Sequence, residues 1–126
     1  MYGCAGNGRI ASASRADYAE ADVAALTAEN QAGKVYELAG DTAYTLAELA
    51  AEISRQTGKN IGYVNLPEAE YKNVLLKAGL PEAVAALLAD SDTGVSKGGL
   101  FDEGHQLSKL IGRPTTSLAT SVAAAM

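Results

Sequence analysis

The chain has no tryptophan, one phenylalanine (Phe101), one histidine (His105) and one cysteine (Cys4). A single thiol excludes an internal disulfide and fits a reducing cytoplasm. No run of about 20 apolar residues occurs, which excludes a membrane-spanning helix. The start, Met-Tyr-Gly-Cys, lacks the basic and apolar regions of a signal peptide. Basic residues are few and scattered: 10 Lys and Arg stand against 15 Asp and Glu, a net charge of −5. That balance argues against nucleic acid or an anionic membrane as partner, since both require clustered cations. No internal repeat and no low-complexity linker is visible.

What remains is a chain of 126 residues, 48% of them apolar, one domain or a large piece of one by size. Alanine and glycine take the place of the missing aromatics. Small side chains allow close approach of helices and strands but bury little area each, so modest stability is expected.

Punctuation along the chain indicates alternating helices and short strands. Residues 1–8 are Gly-rich and read as a loop, and 9–13 as a short strand. Ser14-x-x-Asp17 resembles a capping box opening a helix that runs to about Glu29 and stops near Gly33. Residues 35–38, Val-Tyr-Glu-Leu, read as a strand. Thr45-x-x-Glu48 is a second capping box, followed by Leu46, Leu49, Ala50 and Ile53 on one helical face and by Gly58 as terminator. Residues 60–66 read as a strand. Pro67 suits the first turn of a helix whose stripe is Tyr71, Val74, Leu75 and Ala78, closed by Gly79. Pro81 opens another helix carrying Val84, Leu87 and Leu88, with Asp90 at its end. Residues 91–103 read as a polar, Gly-rich turn region in which Leu100 and Phe101 anchor into the core. A short helix at 107–111 ends at Gly112, and Thr116 caps a last helix with Leu118 and Val122 inward. The fold class is α/β.

Few of the chemical motifs that would define a site are present. The cluster Gly3, Gly6 and Gly8 lacks the strand–glycine–helix context of a dinucleotide fingerprint and reads as a flexible loop. Tyr71 is followed directly by Lys72, so no Tyr-x-x-x-Lys pair exists. The carboxylate pairs Asp90/Asp92 and Asp102/Glu103 do not match calcium-loop spacing, and no metal is expected. His105 has no nucleophile signature around it and reads as an exposed helix-start residue. Cys4 has no Cys or His nearby to activate it.

Four segments nevertheless carry a specific pattern. They are Gly-Arg-Ile-Ala-Ser-Ala-Ser-Arg-Ala-Asp-Tyr-Ala at 8–19 and Lys-Val-Tyr-Glu-Leu-Ala-Gly-Asp at 34–41. The others are Asp-Ser-Asp-Thr-Gly-Val-Ser-Lys-Gly-Gly-Leu-Phe-Asp-Glu at 90–103 and Leu-Ser-Lys-Leu-Ile-Gly-Arg-Pro-Thr-Thr at 107–116. Together they resemble the C-terminal part of the NmrA-like atypical short-chain dehydrogenases, and within them the bacterial NAD(P)H:quinone oxidoreductases. The resemblance runs from about Gly3 to about Val122.

The resemblance implies that residues 1–126 are the C-terminal, substrate-side portion of an NAD(P)-binding Rossmann-like fold, with the N-terminal cofactor-binding half absent. The whole protein would take hydride from NADPH or NADH and pass it to a quinone. This chain alone is expected neither to bind NADP nor to catalyse. The alternative of another class is a non-catalytic NmrA-like redox sensor or interaction domain, which quinone turnover would distinguish. Arg15 matches the Arg of the family's Ser/Thr-Arg-Ala-Asp-Tyr-Ala segment, and a guanidinium there suits a cofactor phosphate or a quinone oxygen. The plain alternative is a helix-start Arg paired with Asp17 or solvent, Asp17 being a capping acid. Tyr18 and Phe101 are candidates for the substrate pocket, against simple packing for each. No residue of the chain is marked as catalytic. Uncovered strand edges and apolar faces lead to an expectation of self-association if the chain folds alone.

Overall fold

The computed structural model describes all residues, Met1–Met126, and the chain divides into two compact units, each built from two stretches of sequence. Unit 1 comprises Met1–Ile10 and Tyr44–Leu100, and unit 2 comprises Ala11–Ala43 and Phe101–Met126.

Unit 1 holds the only sheet. Strand β1 (Tyr2–Gly3) pairs in parallel with β2 (Val64–Asn65), with Tyr2 opposite Val64 and Gly3 opposite Asn65. A single antiparallel bridge joins Ile10 and Tyr44 through two backbone hydrogen bonds of 2.8 and 3.0 Å. The helices are α2 (Leu46–Thr57), α3 (Glu68–Lys77) and α4 (Glu82–Ser96), with α3 packed on α4. Helix α2 begins with a complete capping box: the Thr45 hydroxyl accepts from the Glu48 amide, and the Glu48 carboxylate accepts from the Thr45 amide. It ends at Gly58, whose φ of +69° is one that a side chain would resist. Pro67 and Pro81 stand immediately before α3 and α4, where a missing N–H costs nothing. The core is made of small side chains, Cys4, Ala5, Ala50, Ala85, Ala89 and Val95. Gly8 is obligatory for closeness, because a Cβ there would lie 2.3 Å from the Val95 carbonyl oxygen.

Unit 2 contains α1 (Arg15–Thr27), α5 (Gln106–Ile111) and α6 (Leu118–Ala124), and α1 packs on α5. Ser14 caps α1 by accepting from the Asp17 amide, and Ser117 caps α6 by accepting from the Thr120 amide. Leu107 is fully buried, among a core that also includes Ala11, Ala21, Ala39 and Val122. Gly40 lies against Ser12 so closely that a Cβ would meet the Ser12 carbonyl oxygen at 2.1 Å.

Several expectations from sequence are corrected. Residues 1–8 are not all loop, since β1 lies within them; 9–13 and 60–66 reduce to the Ile10 bridge and β2. Residues 35–38 form no strand, and Val35 is 84% exposed. Strand character depends on a pairing partner, which local sequence does not specify. Asp90 does not end a helix, because α4 continues through the Gly-rich stretch to Ser96. There Ser91 and Thr93 donate to the Leu87 and Ala89 carbonyls instead of competing with the helix, and Val95 continues the buried face of Ala85 and Ala89. Leu100 and Phe101 do not anchor into the core; they are 54% and 40% exposed. Ser117 rather than Thr116 caps the last helix. His105 does sit at a helix start, half-exposed and in the left-handed region at φ +54°. No helix is long and apolar enough to cross a membrane.

Candidate functional site

Two parts of the molecule concentrate polar order, one in each unit. In unit 1 it is the Gly-rich loop at 4–8, which leaves the carboxyl end of β1. Its turn closes through a 2.9 Å hydrogen bond from the Gly8 amide to the Ala5 carbonyl, with Gly6 at φ +55°. Three successive backbone amides then find side-chain acceptors on distant elements. The Cys4 amide donates to Asp92 Oδ2 on α4 at 2.9 Å, the Ala5 amide to the Tyr63 hydroxyl at 3.2 Å, and the Gly6 amide to Asn65 Oδ1 on β2 at 2.8 Å. The Tyr63 hydroxyl donates in turn to Asn65 Oδ1 at 3.1 Å.

The loop is therefore not the flexible segment that its composition suggests. It does follow a strand, contrary to the sequence reading, but a bridge residue and not a helix comes after it. A phosphate cradle requires free amides at a helix N-terminus. Here those of residues 4–6 are occupied, so this loop does not offer the free amides that a dinucleotide pyrophosphate requires.

The thiol and the two phenols around this loop are held in their neutral forms. Burial pushes the Cys4 thiol up, outweighing a hydrogen bond with Thr93, and burial likewise raises Tyr63 and Tyr71. Cys4 is buried, with its Sγ 3.3 Å from the Ala89 carbonyl. No group of three or more His, Cys, Asp or Glu side chains is arranged to hold a metal ion.

In unit 2 two carboxylates tie the distant sequence stretches together. Asp17 is completely buried; its Oδ2 accepts from the Thr116 amide at 2.8 Å, and its Oδ1 from the Thr116 hydroxyl at 3.0 Å and from Arg113 Nη2 at 2.7 Å. Burial alone would raise its pKa. The Thr116 amide, Arg113 and the Thr116 and Ser14 hydroxyls together outweigh that and bring it down to about 2. Arg113 also meets Glu20 at 2.7 Å, and its own pKa is raised by Glu20 and Asp17. Asp41 accepts from the Ser108 hydroxyl at 2.6 Å and the Thr115 amide at 2.9 Å, and its Oδ1 lies 2.9 Å from His105 Nδ1. Its pKa falls to about 2, mainly through Ser108 and against burial, with Thr115 and His105 adding to the effect.

The three residues singled out from sequence all lie in unit 2. Arg15 is exposed in the first turn of α1. It does not pair with Asp17, whose oxygens are taken by Thr116 and Arg113; Asp17 is a buried fastener more than a capping acid. A cation at a helix N-terminus stands at the unfavourable end of the dipole. Tyr18 is half-buried, and its hydroxyl is 3.4 Å from the Leu38 carbonyl. Arg15 and Tyr18 are three positions apart, hence neighbours on the helix surface. Phe101 begins the second stretch of the unit. A shallow groove of about 390 Å³ between α1 and α5, lined by Ala19, Glu20, Val23, Ala24, Leu110 and Ile111, includes none of the three.

The organising residues that sequence reasoning passed over are Asp41, Tyr63, Asn65 and Arg113, and Asp92 was weighed there only as half of a carboxylate pair. Asp41, Asp92 and Arg113 fall inside the segments that carry the family pattern, which was the available signal.

No protein-family model matches the chain. It is 57% identical over 122 residues to quinone oxidoreductase 2 of Escherichia coli (strain K12), an alignment covering 97% of this chain and 43% of that protein. The solved structure of the NADPH-dependent quinone oxidoreductase QOR2 from Escherichia coli complexed with NADPH superposes with a TM-score of 0.96 at 55% identity. That match covers 99% of this chain and 44% of that one. The Citrobacter sp. triphenylmethane reductase complexed with NADP(H) superposes with a TM-score of 0.94 at 33% identity, over 100% of this chain and 44% of its own. The chain thus spans less than half the length of the relatives it matches, their C-terminal portion. By sequence and by structure it is similar, over nearly its whole length, to the C-terminal part of the α/β fold of quinone oxidoreductase 2.

Proposed function

We propose that this chain is the substrate-side part of an NADPH-dependent quinone oxidoreductase. The whole protein passes hydride from the nicotinamide to a quinone in a reducing, cytoplasmic setting. The observation that carries the reading is 57% identity to quinone oxidoreductase 2 across 97% of the chain. The occupied amides of residues 4–6 support a division of labour in which the dinucleotide phosphates are held elsewhere. The chain alone is then not catalytic. Its contribution is positioning and electrostatics. Arg15 supplies a guanidinium for a cofactor phosphate or quinone oxygen, and Tyr18 and Phe101 supply apolar wall for a flat ring. The exposed Val84, Leu87 and Leu88 on α4 go with self-association of the isolated chain.

The test is a hybrid in which this chain follows the N-terminal portion of the Escherichia coli relative, assayed for NADPH oxidation coupled to quinone loss. Coupled turnover is expected, with none from the chain alone. A folded hybrid that binds NADPH without reducing any quinone would leave the non-catalytic reading in its place.

A further inference from the structure

Helix α3 follows β2 almost directly and turns one stripe of side chains toward the strand pair. Glu70, Asn73, Val74 and Lys77 stand three or four positions apart, on one face of the helix. With Tyr2 of β1 and Leu66 just after β2 they line an open groove of about 520 Å³, all of it within unit 1. Half of that lining is apolar: Tyr2, 55% exposed, and the half-buried Leu66 and Val74.

The polar half is without partners. Elsewhere on α3 the charged side chains are engaged: Glu68 accepts from the Thr93 hydroxyl at 2.9 Å, and Lys72 meets Glu82 at 3.3 Å. Glu70, Asn73 and Lys77, in the groove, form no hydrogen bond or ion pair through their side chains, and neither does the Tyr2 hydroxyl. An anion and a cation thus stand two helical turns apart, about 10 Å, with an amide between them. Such a rim complements a polypeptide segment bearing both signs of charge better than a small ion of one sign.

The backbone shows where such a segment enters. Pairing of β1 with β2 begins at the first residue: the Met1 nitrogen donates to the Gly62 carbonyl at 2.8 Å, and the Val64 amide donates to the Met1 carbonyl at 2.8 Å. Met1 is therefore fixed in place, one residue from the Tyr2 side chain in the groove. The relatives are matched over their C-terminal portion, 43% and 44% of their lengths, so more than half of a protein of that kind precedes β1.

We infer that this groove is the docking surface for the N-terminal portion of the whole protein, filled by the segment that leads into Met1. That segment lays apolar side chains over Tyr2, Leu66 and Val74, and meets Lys77 with an acidic group and Glu70 with a basic one. The inference rests on the reading of the chain as the C-terminal part of a longer reductase. An apolar patch with a polar rim is the ordinary form of a surface awaiting a partner.

The test is lysine acetylation by an N-hydroxysuccinimide ester, read by mass spectrometry on the isolated chain and on the hybrid described above. Lys77 is expected to react about tenfold more slowly in the hybrid, since a covered group reacts only when its cover opens. Lys72, held by Glu82 outside the groove, should react alike in both. Equal reactivity of Lys77 in the two proteins would overturn the docking. Shielding of Lys77 in the isolated chain that grows with its concentration would give the groove to a second copy, and would overturn it too. Lys77→Glu reverses a charge at an exposed position. It should leave the Tm of the isolated chain unchanged and lower that of the hybrid by several degrees, with Lys77→Arg restoring it; equal shifts in both would count against the docking. Shielding is read without turnover. A hybrid that shields Lys77 yet reduces no quinone would sustain the docking and remove the functional reading, and one that reduces quinone with Lys77 unshielded would do the reverse.

Discussion

The two units use different means to join distant stretches of sequence. In unit 1 the joins are backbone pairing, close packing of small groups, and one hydrogen bond each from the amides of residues 4–6 to Asp92, Tyr63 and Asn65. The β1–β2 ladder and the Ile10–Tyr44 bridge supply the pairing, and Gly8 against Val95 the packing, around an Ala-rich core. Its shifted carboxylates, Glu48 and Glu52, bond within or next to α2, to Thr45 and to Arg55 and Gln56. In unit 2 there is no strand, and two carboxylates take over the task. Asp17 fastens α1 to residues 113–116, and Asp41 fastens the 40–41 turn to α5 and to Thr115. A unit with few large apolar groups, Leu107 being its one large fully buried apolar side chain, gains directionality from charge-assisted hydrogen bonds that it does not have from area.

The largest expected effect breaks this contrast at its strongest point. Asp17→Ala leaves the Thr116 amide and hydroxyl without their acceptor in a buried site. It should cost about 3 kcal/mol of stability, the range for truncating one partner of a buried charged network. Chemical denaturation measures the loss, and amide exchange should assign it to unit 2.

The next effect belongs to unit 1. Gly8→Ala forces a Cβ to within 2.3 Å of the Val95 carbonyl, and displacing backbone in a packed core costs about 1–3 kcal/mol. If the contrast is right, its exchange signature falls in residues 1–10 and 44–100, the reverse of that for Asp17→Ala.

A third prediction uses acid alone. Asp17 and Asp41 each titrate near 2 in the folded chain, below the ordinary 3.8. A depressed carboxylate contributes stability that is present above the unfolded pKa and is lost as pH falls through the folded one. Between about pH 5 and pH 2 unit 2 should therefore lose roughly 2 kcal/mol for Asp17, with a further loss for Asp41. Protonation in unit 1 should fray α2 without parting its two stretches. A pH series of residue-resolved amide exchange checks the order; equal loss in both units would break the comparison.

Helix boundaries were the most legible part of the chain. Ser14, the Thr45–Glu48 box, Gly58, both prolines and Gly112 act through bonds made within four residues, so local sequence carries them. Strands were poorly legible, because β1 is made by Val64 and Asn65 some 60 residues away and nothing in Val35 to Leu38 announces the lack of a partner. The Gly-rich 94–99 stretch misled for a related reason. Thr93 and Val95 keep the helix going through contacts that composition does not reveal.

The same distance effect governs the candidate site. Arg15 was visible as a charged residue in a family segment. That Asp17 would turn from it to Arg113, 96 positions later, was not. Nor did the glycines at 3–8 indicate a loop pinned by Asp92, Tyr63 and Asn65.

The central proposal is that this chain carries the substrate side of a quinone reductase and no cradle for the dinucleotide. Calorimetric titration of NADPH into the isolated chain, after circular dichroism has shown it folded, tests that most directly. The account predicts no heat of binding, since the amides of residues 4–6 are already engaged. Tight saturable binding would contradict it and would place the cofactor site among these residues.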